Sequence, residues 1–420
     1  MPEVKPFRAI RYSLTRTNGD LSRVIAPPYD VLAQSDKDRL LAGGDRNIVA
    51  VDLPHIPPKS LGPPAAYEGA ARTMQSWLDD GTLVRDETPA IYVYHQTFEH
   101  AGQMYTRRKF FARVRLHAFD DGVILPHEQT FGGPKEDRLA LMKATRCQLS
   151  PIFGLFTDPD DQTGNAFATE IDRRPDAIAT LDGVKNALWI VTDPSVIEKI
   201  AAHLADQPIY IADGHHRYGT ALNYRDWLVE QQGPLADDHP AQYIMFVLGS
   251  MDDPGSLILP YNRVLHDTTI DVLLDAWSPG VEQIEEGACD LVLHEGATGA
   301  QKRLVFTSRP ILKEIEPDQC TPWHRLDAAY LHRYLIDELL RAKLGGDPSV
   351  GYVKSRPAAI DSAKVENGVA LLVNATPMAH LRAVSEAGGL MPQKSTYFHP
   401  KLATGFTINP VGEYRMSNGE

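Results

Sequence analysis

The chain has 420 residues and a formal net charge of −13, with 43% apolar and 23% charged residues. That length suggests two or three structural units with sizeable cores. The acidic balance argues against a general DNA or RNA binder, which needs clustered Lys and Arg for phosphate contacts.

Cys147, Cys289 and Cys320 lie far apart. They fit neither a zinc site nor a disulfide framework and point to a reducing compartment. The N-terminal MPEVKPFRAI lacks the apolar core of a signal peptide. No apolar run approaches the ~18 residues needed to cross a bilayer. These features predict a cytoplasmic protein without a membrane partner.

In chain order, PHIPPKSLGPPAAY (Pro54 to Tyr67) predicts an extended loop. AAYEGAARTMQSWLDDG predicts a helix capped at Gly81. AIYVYHQTF and MYTRRKFFARVRL predict a hairpin around EHAGQ. SPIFGLF and ALWIVTD read as short apolar strands. Asp193-Pro194 supplies an N-cap and a proline at the first helical position, opening a helix over SVIEKIAAHLAD. QPIYIAD is the next strand, HHRYGTALNYRDWLVEQQ the next helix, and AQYIMFVLGS and SLILPYNRVL strands.

Beyond His266, DVLLDAWS predicts a helix, and DLVLHEG, KRLVFTS and ILKEIEP a small meander. LDAAYLHRYLIDELLRAKLGG predicts a 3.6-period helix burying Ala329, Leu331, Leu335, Ile336, Leu339 and Leu340 and ending at Gly345. VALLVNATP is a buried strand, and MPQKSTYFHPKLATGFTINP a polar, loop-rich tail. The class is α+β. The expected regions are 1–150, 151–265 and 266–420.

The stretch IADGHHRYGTAL (Ile211 to Leu222) concentrates polar groups where a strand turns into a helix. The free N–H groups and dipole of a helix start favour an anion, phosphate above all. Gly214 lets an anion approach the backbone, and Arg217 can grip two phosphate oxygens. His215 or His216 can donate a hydrogen bond or move a proton. Asp213 can cap the helix, hold magnesium or accept a hydroxyl proton. The alternatives are an ordinary cap beside surface histidines, or a zinc site. The second suffers from the divergence of adjacent histidines and from the charge of Arg217.

Four further clusters carry polar chemistry. In HEQTFGGPKEDR (His127 to Arg138), a Gly132-Gly133-Pro134 turn would expose N–H groups. Lys135 and Arg138 can pair with phosphate, and Glu128 is a candidate general base. The same residues also fit the solvated first turn of a helix. KSTYFHPK places Lys394, Ser395, Thr396 and Lys401 as phosphate-gripping groups on a loop, without the glycine spacing of a Walker motif. In APPYDVL the prolines hold Tyr29 and Asp30, either as substrate-binding groups or as a packing residue and a cap. LPYNRVL buries Asn262 and Arg263 in an apolar strand; Arg263 either completes an anion pocket or, the commoner case, bridges to a carboxylate. His324 and His332 are assigned no metal.

The ADGHHR box followed by a helix resembles the signature turn of the ParB/sulfiredoxin superfamily, which holds nucleotide phosphates and includes archaeal free serine kinases. The whole chain resembles the domain-of-unknown-function 1015 family. The segments that carry this likeness are PFRAIR with VIAPPYDVL, LPHEQTFGGPKEDRLALMKATRCQLSPIFGLF, YIADGHHRYGTAL, LILPYNRVL and MPQKSTYFHPKLATG. The resemblance implies a ParB/sulfiredoxin-like core with additional α+β N- and C-terminal regions. It also implies phosphotransfer to a small hydroxyl compound, free L-serine foremost, with Mg²⁺ and ATP, ADP or pyrophosphate as donor. A nucleotide-binding switch and a metal-dependent phosphohydrolase are the competing expectations.

Overall fold

The computed structural model describes residues 1–44, 46–129 and 132–412. It is a mixed α+β structure. Contacts group the chain into two units: Met1–Pro126 with Thr130–Ser256 and Pro400–Glu420, and His127–Gln129 with Leu257–His399. The division expected near 150 falls inside the first unit, because one strand, Tyr243–Ser250, pairs with segments on both sides of it. The later division lies at Ser256 rather than near 266, and the residues from Pro400 onward rejoin the first unit.

Among the described residues, the first unit's main sheet has nine strands: β1 (Val4–Lys5), β2 (Ile91–His100), β3 (Gln103–Arg115), β4 (Ile124–Leu125), β5 (Ile152–Phe156), β6 (Ala177–Leu181), β7 (Val184–Val191), β8 (Ile209–Asp213) and β9 (Tyr243–Ser250). The order is β4-β8-β5-β9-β3-β2-β7-β6, with β1 also on β3. The β2–β3 hairpin closes on Ala101-Gly102, both left-handed (φ 51° and 80°), a turn whose twist matches that of the strands. Period-two alternation sorts the side chains. Val93, Phe110, Phe246 and Leu248 join the apolar core on one face. On β2 and β3 the other face carries Tyr94, Gln96, Arg107 and Lys109.

The helices of this unit follow local signals. The four longest among the described residues are α1 (Pro64–Asp79), α2 (Gly132–Thr145), α3 (Pro194–Ala205) and α4 (His215–Gln232). Helix α1 stops at Asp80, just before left-handed Gly81. Asp193 caps α3 by accepting from the Ser195 N–H at 2.8 Å, with Pro194 next. Val196, Ile200 and Leu204 of α3 and Tyr218, Ala221 and Tyr224 of α4 enter the same core. Gly132-Gly133-Pro134 opens α2 rather than forming a free turn. Thr130 and Phe131 of that stretch lie outside the described residues.

The second unit contains an antiparallel sheet of β10 (Asn262–Leu265), β11 (Val281–Ile284), β12 (Leu291–Glu295), β13 (Gln301–Phe306), β14 (Val350–Val353) and β15 (Val369–Val373), in the order β11-β13-β12-β15-β10-β14. A helix over Arg356–Val365 packs Ala359 and Ala363 against Val264, Ala370 and Leu372. The strand expected over ILKEIEP is instead a short helical segment, Leu312–Ile315. Pro310 just ahead of it has no N–H to give a ladder, and Leu312 is buried from a helical turn.

The long helix forms, but Tyr330–Leu340 winds as a π-helix. Its buried residues, Tyr330, Leu331, Leu335, Ile336 and Leu340, recur at spacings of four or five positions, and Leu339 is only half-buried. That spacing suits i→i+5 winding. The indole of Trp277 donates to the Leu335 carbonyl at 2.7 Å within this stretch.

Candidate anion site in the first unit

Asp213 ends β8 and Gly214 opens α4. Regular alternation would keep Asp213 on the core face with Ile209 and Ile211. The register against β5 shifts between Ile211 and Asp213, so that Asp213 pairs with Phe153. A bulge re-aims the side chain that follows it. Asp213 thus shares a face with Phe153, whose ring lies 4.8 Å from the Arg107 guanidinium and 5.8 Å from Lys109 Nζ.

The Asp213 carboxylate accepts a hydrogen bond from Lys401 Nζ at 2.9 Å and lies 3.6 Å from Arg217. Burial works to raise its pKa, but Lys401 and Arg217 together hold it far below the usual carboxylate range. Asp213 therefore stays charged and has little affinity for a proton. It suits orienting a group or meeting a cation better than acting as a base. Nor is it the helix cap: Gly214 takes that position at φ 102°, without a capping side chain.

Glycine is needed at 214 on two grounds. The positive φ disfavours any side chain, and a β-carbon there would meet Arg217 Nε at 3.0 Å. Arg217 folds back against the turn and also donates to the Pro151 carbonyl. The sequence predicts open amides at this point; in the structure the Arg217 guanidinium packs against the turn.

His216 sits among Lys59, Lys135, Asp30 and Arg217. Burial first, then the lysines, lowers its pKa, so its imidazole is neutral at pH 7 and keeps a lone pair. Lys135 lays its stem along α4, with Cε 3.2 Å from where a β-carbon of Gly219 would stand. Lys59 lies 3.7 Å from Asp30, and His215 is buried. Among the described residues, Lys59, Lys135, Arg217 and Lys401 thus gather near three carboxylates, Asp30, Asp52 and Asp213, of which Asp52 also pairs with Arg138.

Arg138 and Tyr29, candidates for either ligand contact or a structural role, are tied into the protein's own network. Arg138 Nη1 donates to the Asp52 carbonyl at 2.6 Å, Nε donates to the Asp137 carboxylate at 2.8 Å, and the guanidinium stacks 3.9 Å from the buried Tyr29 ring. Asp137 also accepts from Tyr67 and pairs with His55, each at 2.9 Å. Burial raises the Asp52 pKa in spite of Arg138 and Ser150. This network pins the proline-rich loop that carries Lys59. Beside it, Asp52, Arg138, Ser150, Arg217 and Thr220 help line a cavity of about 40 Å³.

Sequence reasoning missed Lys59, Gln96, Arg107 and Lys109. Gln96 Nε2 donates to the Lys401 carbonyl at 3.1 Å, and its Oε1 accepts from Arg107 at 2.7 Å and from Lys109. It therefore positions Lys401. Burial pulls the Lys109 pKa well below that of an ordinary lysine. The signal was legible as Arg107 and Lys109 at alternate positions of an apolar strand. Lys59 carries no such signal.

The remaining candidates belong to the second unit. Glu128 is half-buried. KSTYFHPK does not act as one loop, because Lys401 belongs to the first unit and Lys394, Ser395 and Thr396 to the second. Ser395 donates to the Pro392 carbonyl at 2.5 Å, Thr396 Oγ1 bonds His127 Nε2 at 2.9 Å, and Lys394 Nζ lies 5.4 Å from the Tyr261 ring. Asn262 Nδ2 reaches the Val353 carbonyl at 3.5 Å. Arg263 does not bridge to a carboxylate as expected. Its donors go to His332 Nε2 at 3.1 Å, to the Tyr261 carbonyl and to the Lys394 carbonyl at 3.3 Å.

Among the described residues, no group of three or more His, Cys, Asp or Glu side chains is placed to hold a metal ion. Nor is any helix long and apolar enough to cross a membrane.

Fold and site together define a mixed α+β protein with a cation-rich strand-to-helix turn. The chain belongs to the family described as "Protein of unknown function (DUF1015)", whose model matches residues 4–328. No curated protein matches its sequence. Among solved structures, it is similar to a mutant free serine kinase in complex with ADP, at 12% identity and a TM-score of 0.34, covering 71% of this chain and 92% of that one. It is also similar to C-terminally truncated SbnI from Staphylococcus aureus, at 12% identity and a TM-score of 0.37, over 70% and 86% of the two chains. A conserved hypothetical protein from Pyrococcus furiosus gives 13% identity and a TM-score of 0.33, over 71% and 95%. Likenesses this distant carry no argument about activity.

Proposed function

We propose that the first unit binds the phosphates of a donor beside the Asp213–Arg217 turn. On this reading the protein is a phosphotransferase acting on the hydroxyl of a small molecule. Free L-serine is the leading acceptor, and ATP, ADP or pyrophosphate the donor. The observation that carries the reading is the excess of cations there: Lys59, Lys135, Arg217 and Lys401 against Asp30, Asp213 and an Asp52 already paired with Arg138, in a protein of net charge −13. Phosphoryl transfer depends mainly on positioning and on neutralising charge over the transferred group. The likeness of ADGHHR to the ParB/sulfiredoxin box supports the same reading.

The roles follow from the electrostatics. Arg217 and Lys135 take donor oxygens. Asp213, held charged by Lys401, is the carboxylate suited to a donor-bound Mg²⁺, whose chemistry is to neutralise phosphate charge. His216, neutral at pH 7, takes the acceptor's proton as the acceptor oxygen bonds to phosphorus and the bond to the leaving phosphate breaks. Carboxylates are outnumbered at this turn, which disfavours a carboxylate-built hydrolase centre.

The test is ³¹P NMR of the purified protein with Mg²⁺, serine and each donor in turn. A new phosphoester is expected. No phosphoester from any donor, with serine or with a panel of hydroxy acids, would overturn the proposal. Free phosphate alone would identify a hydrolase, and binding without turnover a nucleotide switch.

A further inference from the structure

Asp30 and Lys59 form an ion pair at 3.7 Å within the first unit, with side chains 29% and 40% exposed. A long pair open to solvent holds each charge weakly, and parting it costs little. The backbone beneath each charge is nevertheless fixed. Pro27 and Pro28 lead into a single 3-10 turn, Tyr29–Val31, whose buried tyrosine stacks on the Arg138 guanidinium. Asp30 follows that anchored ring directly.

Lys59 lies in the left-handed region at φ 70°, where residues other than glycine are strained. Such strain persists only where surrounding contacts hold it, and it gathers at ligand clamps. Here Ser60 Oγ donates to the Pro57 carbonyl at 2.9 Å, and the Gly62 N–H donates to the Tyr67 hydroxyl at 2.7 Å. Tyr67 and His55 are in turn tied to Asp137. Two opposite charges are thus held at set places, yet each answers the other only loosely. The imidazole of His216 lies within electrostatic reach of both.

A ligand that satisfies an anion and a cation side by side needs an ammonium and a carboxylate on neighbouring atoms. An α-amino acid carries both on one carbon. Its ammonium takes the place of Lys59 at Asp30, and its carboxylate takes the place of Asp30 at Lys59, so neither protein charge loses a partner. A hydroxyl on the adjacent carbon then stands beside the ion pair.

We infer that Asp30 and Lys59 read the acceptor: Asp30 takes the ammonium of a hydroxy α-amino acid and Lys59 its carboxylate, which leaves the hydroxyl to His216. The inference rests on the phosphotransferase reading for the role of His216.

Calorimetric titration of the full chain with L-serine and two deletion analogues tests it. The analogues are 3-hydroxypropionate, which lacks the ammonium, and ethanolamine, which lacks the carboxylate. Saturable serine binding is expected, at least about tenfold tighter than either analogue. Asp30→Asn should bring serine down to the affinity of 3-hydroxypropionate, and Lys59→Gln should bring it down to that of ethanolamine. Both side chains reach solvent, so neither change opens the core. The inference is overturned by absence of serine binding, by analogues that bind as tightly as serine, or by variants that keep the wild-type preference. Equal weakening of all three ligands in both variants would also overturn it, by reducing the pair to a structural support. Serine binding set by both residues, without any phosphoester, would break the phosphotransfer reading and spare this one. Phosphoester formation with the serine preference intact in Asp30→Asn would do the reverse.

Discussion

Arg138 in the first unit and Arg263 in the second are both buried guanidiniums, and they differ in what balances them. Arg138 has the carboxylates of Asp52 and Asp137 and a stacked tyrosine. Arg263 has an imidazole, two carbonyls and a ring. The first arrangement is complete without a ligand and serves to hold a loop. The second is held by neutral groups alone among the described residues. Burial of an arginine therefore does not by itself imply a carboxylate partner.

The most severe break in this comparison is Arg138→Met. It strands two buried carboxylates and should cost about 3–5 kcal/mol of stability, read from urea denaturation. Next is Arg217→Ala, which should weaken donor binding by about 1.5–3 kcal/mol in calorimetry, with the fold intact by circular dichroism. Wild-type donor affinity would remove Arg217 from the site. Arg263→Met strands only neutral acceptors, so its loss in the same urea experiment should stay below about 2 kcal/mol. A cost equal to that of Arg138→Met would erase the distinction.

Acid titration sharpens it. The folded pKa of His332, about 3, lies below the unfolded value of about 6.5. Stability from neutral His332 is thus fully present above pH 6.5 and is lost as pH falls towards 3. The loss between pH 6.5 and 5.5 should be about 1 kcal/mol, and His332→Gln, which keeps a neutral acceptor, should remove it from the melting curves. The smallest effect is expected for Lys343→Ala. Lys343 pairs with Asp275 on the open surface, so the change should be within about 0.5 kcal/mol by thermal melting.

What the sequence revealed was local. The Asp193-Pro194 cap, the Ala101-Gly102 hairpin and the strand-to-helix step at Asp213 each rest on a few adjacent residues with distinct backbone preferences. Long-range pairing was hidden. Lys401 meets Asp213 from 188 positions away, and no periodicity announces that. The bulge that turns Asp213 to the polar face depends on its partner strand. The π winding of Tyr330–Leu340 was masked because its buried leucines also fit a 3.6 period. Arg263 was recognised as needing compensation, but a sequence cannot show that the compensating carboxylate is absent.

The chain leaves the first unit after Ser256 and returns to it only at Pro400. Thr404 and Ile408 then bridge to Ala26 and Ile10, near the opposite end of the polypeptide. A ribosome that has emitted Asp213 has therefore not yet made the lysine that holds it ionised. Nascent chains stalled short of residue 401 would carry an unfinished turn.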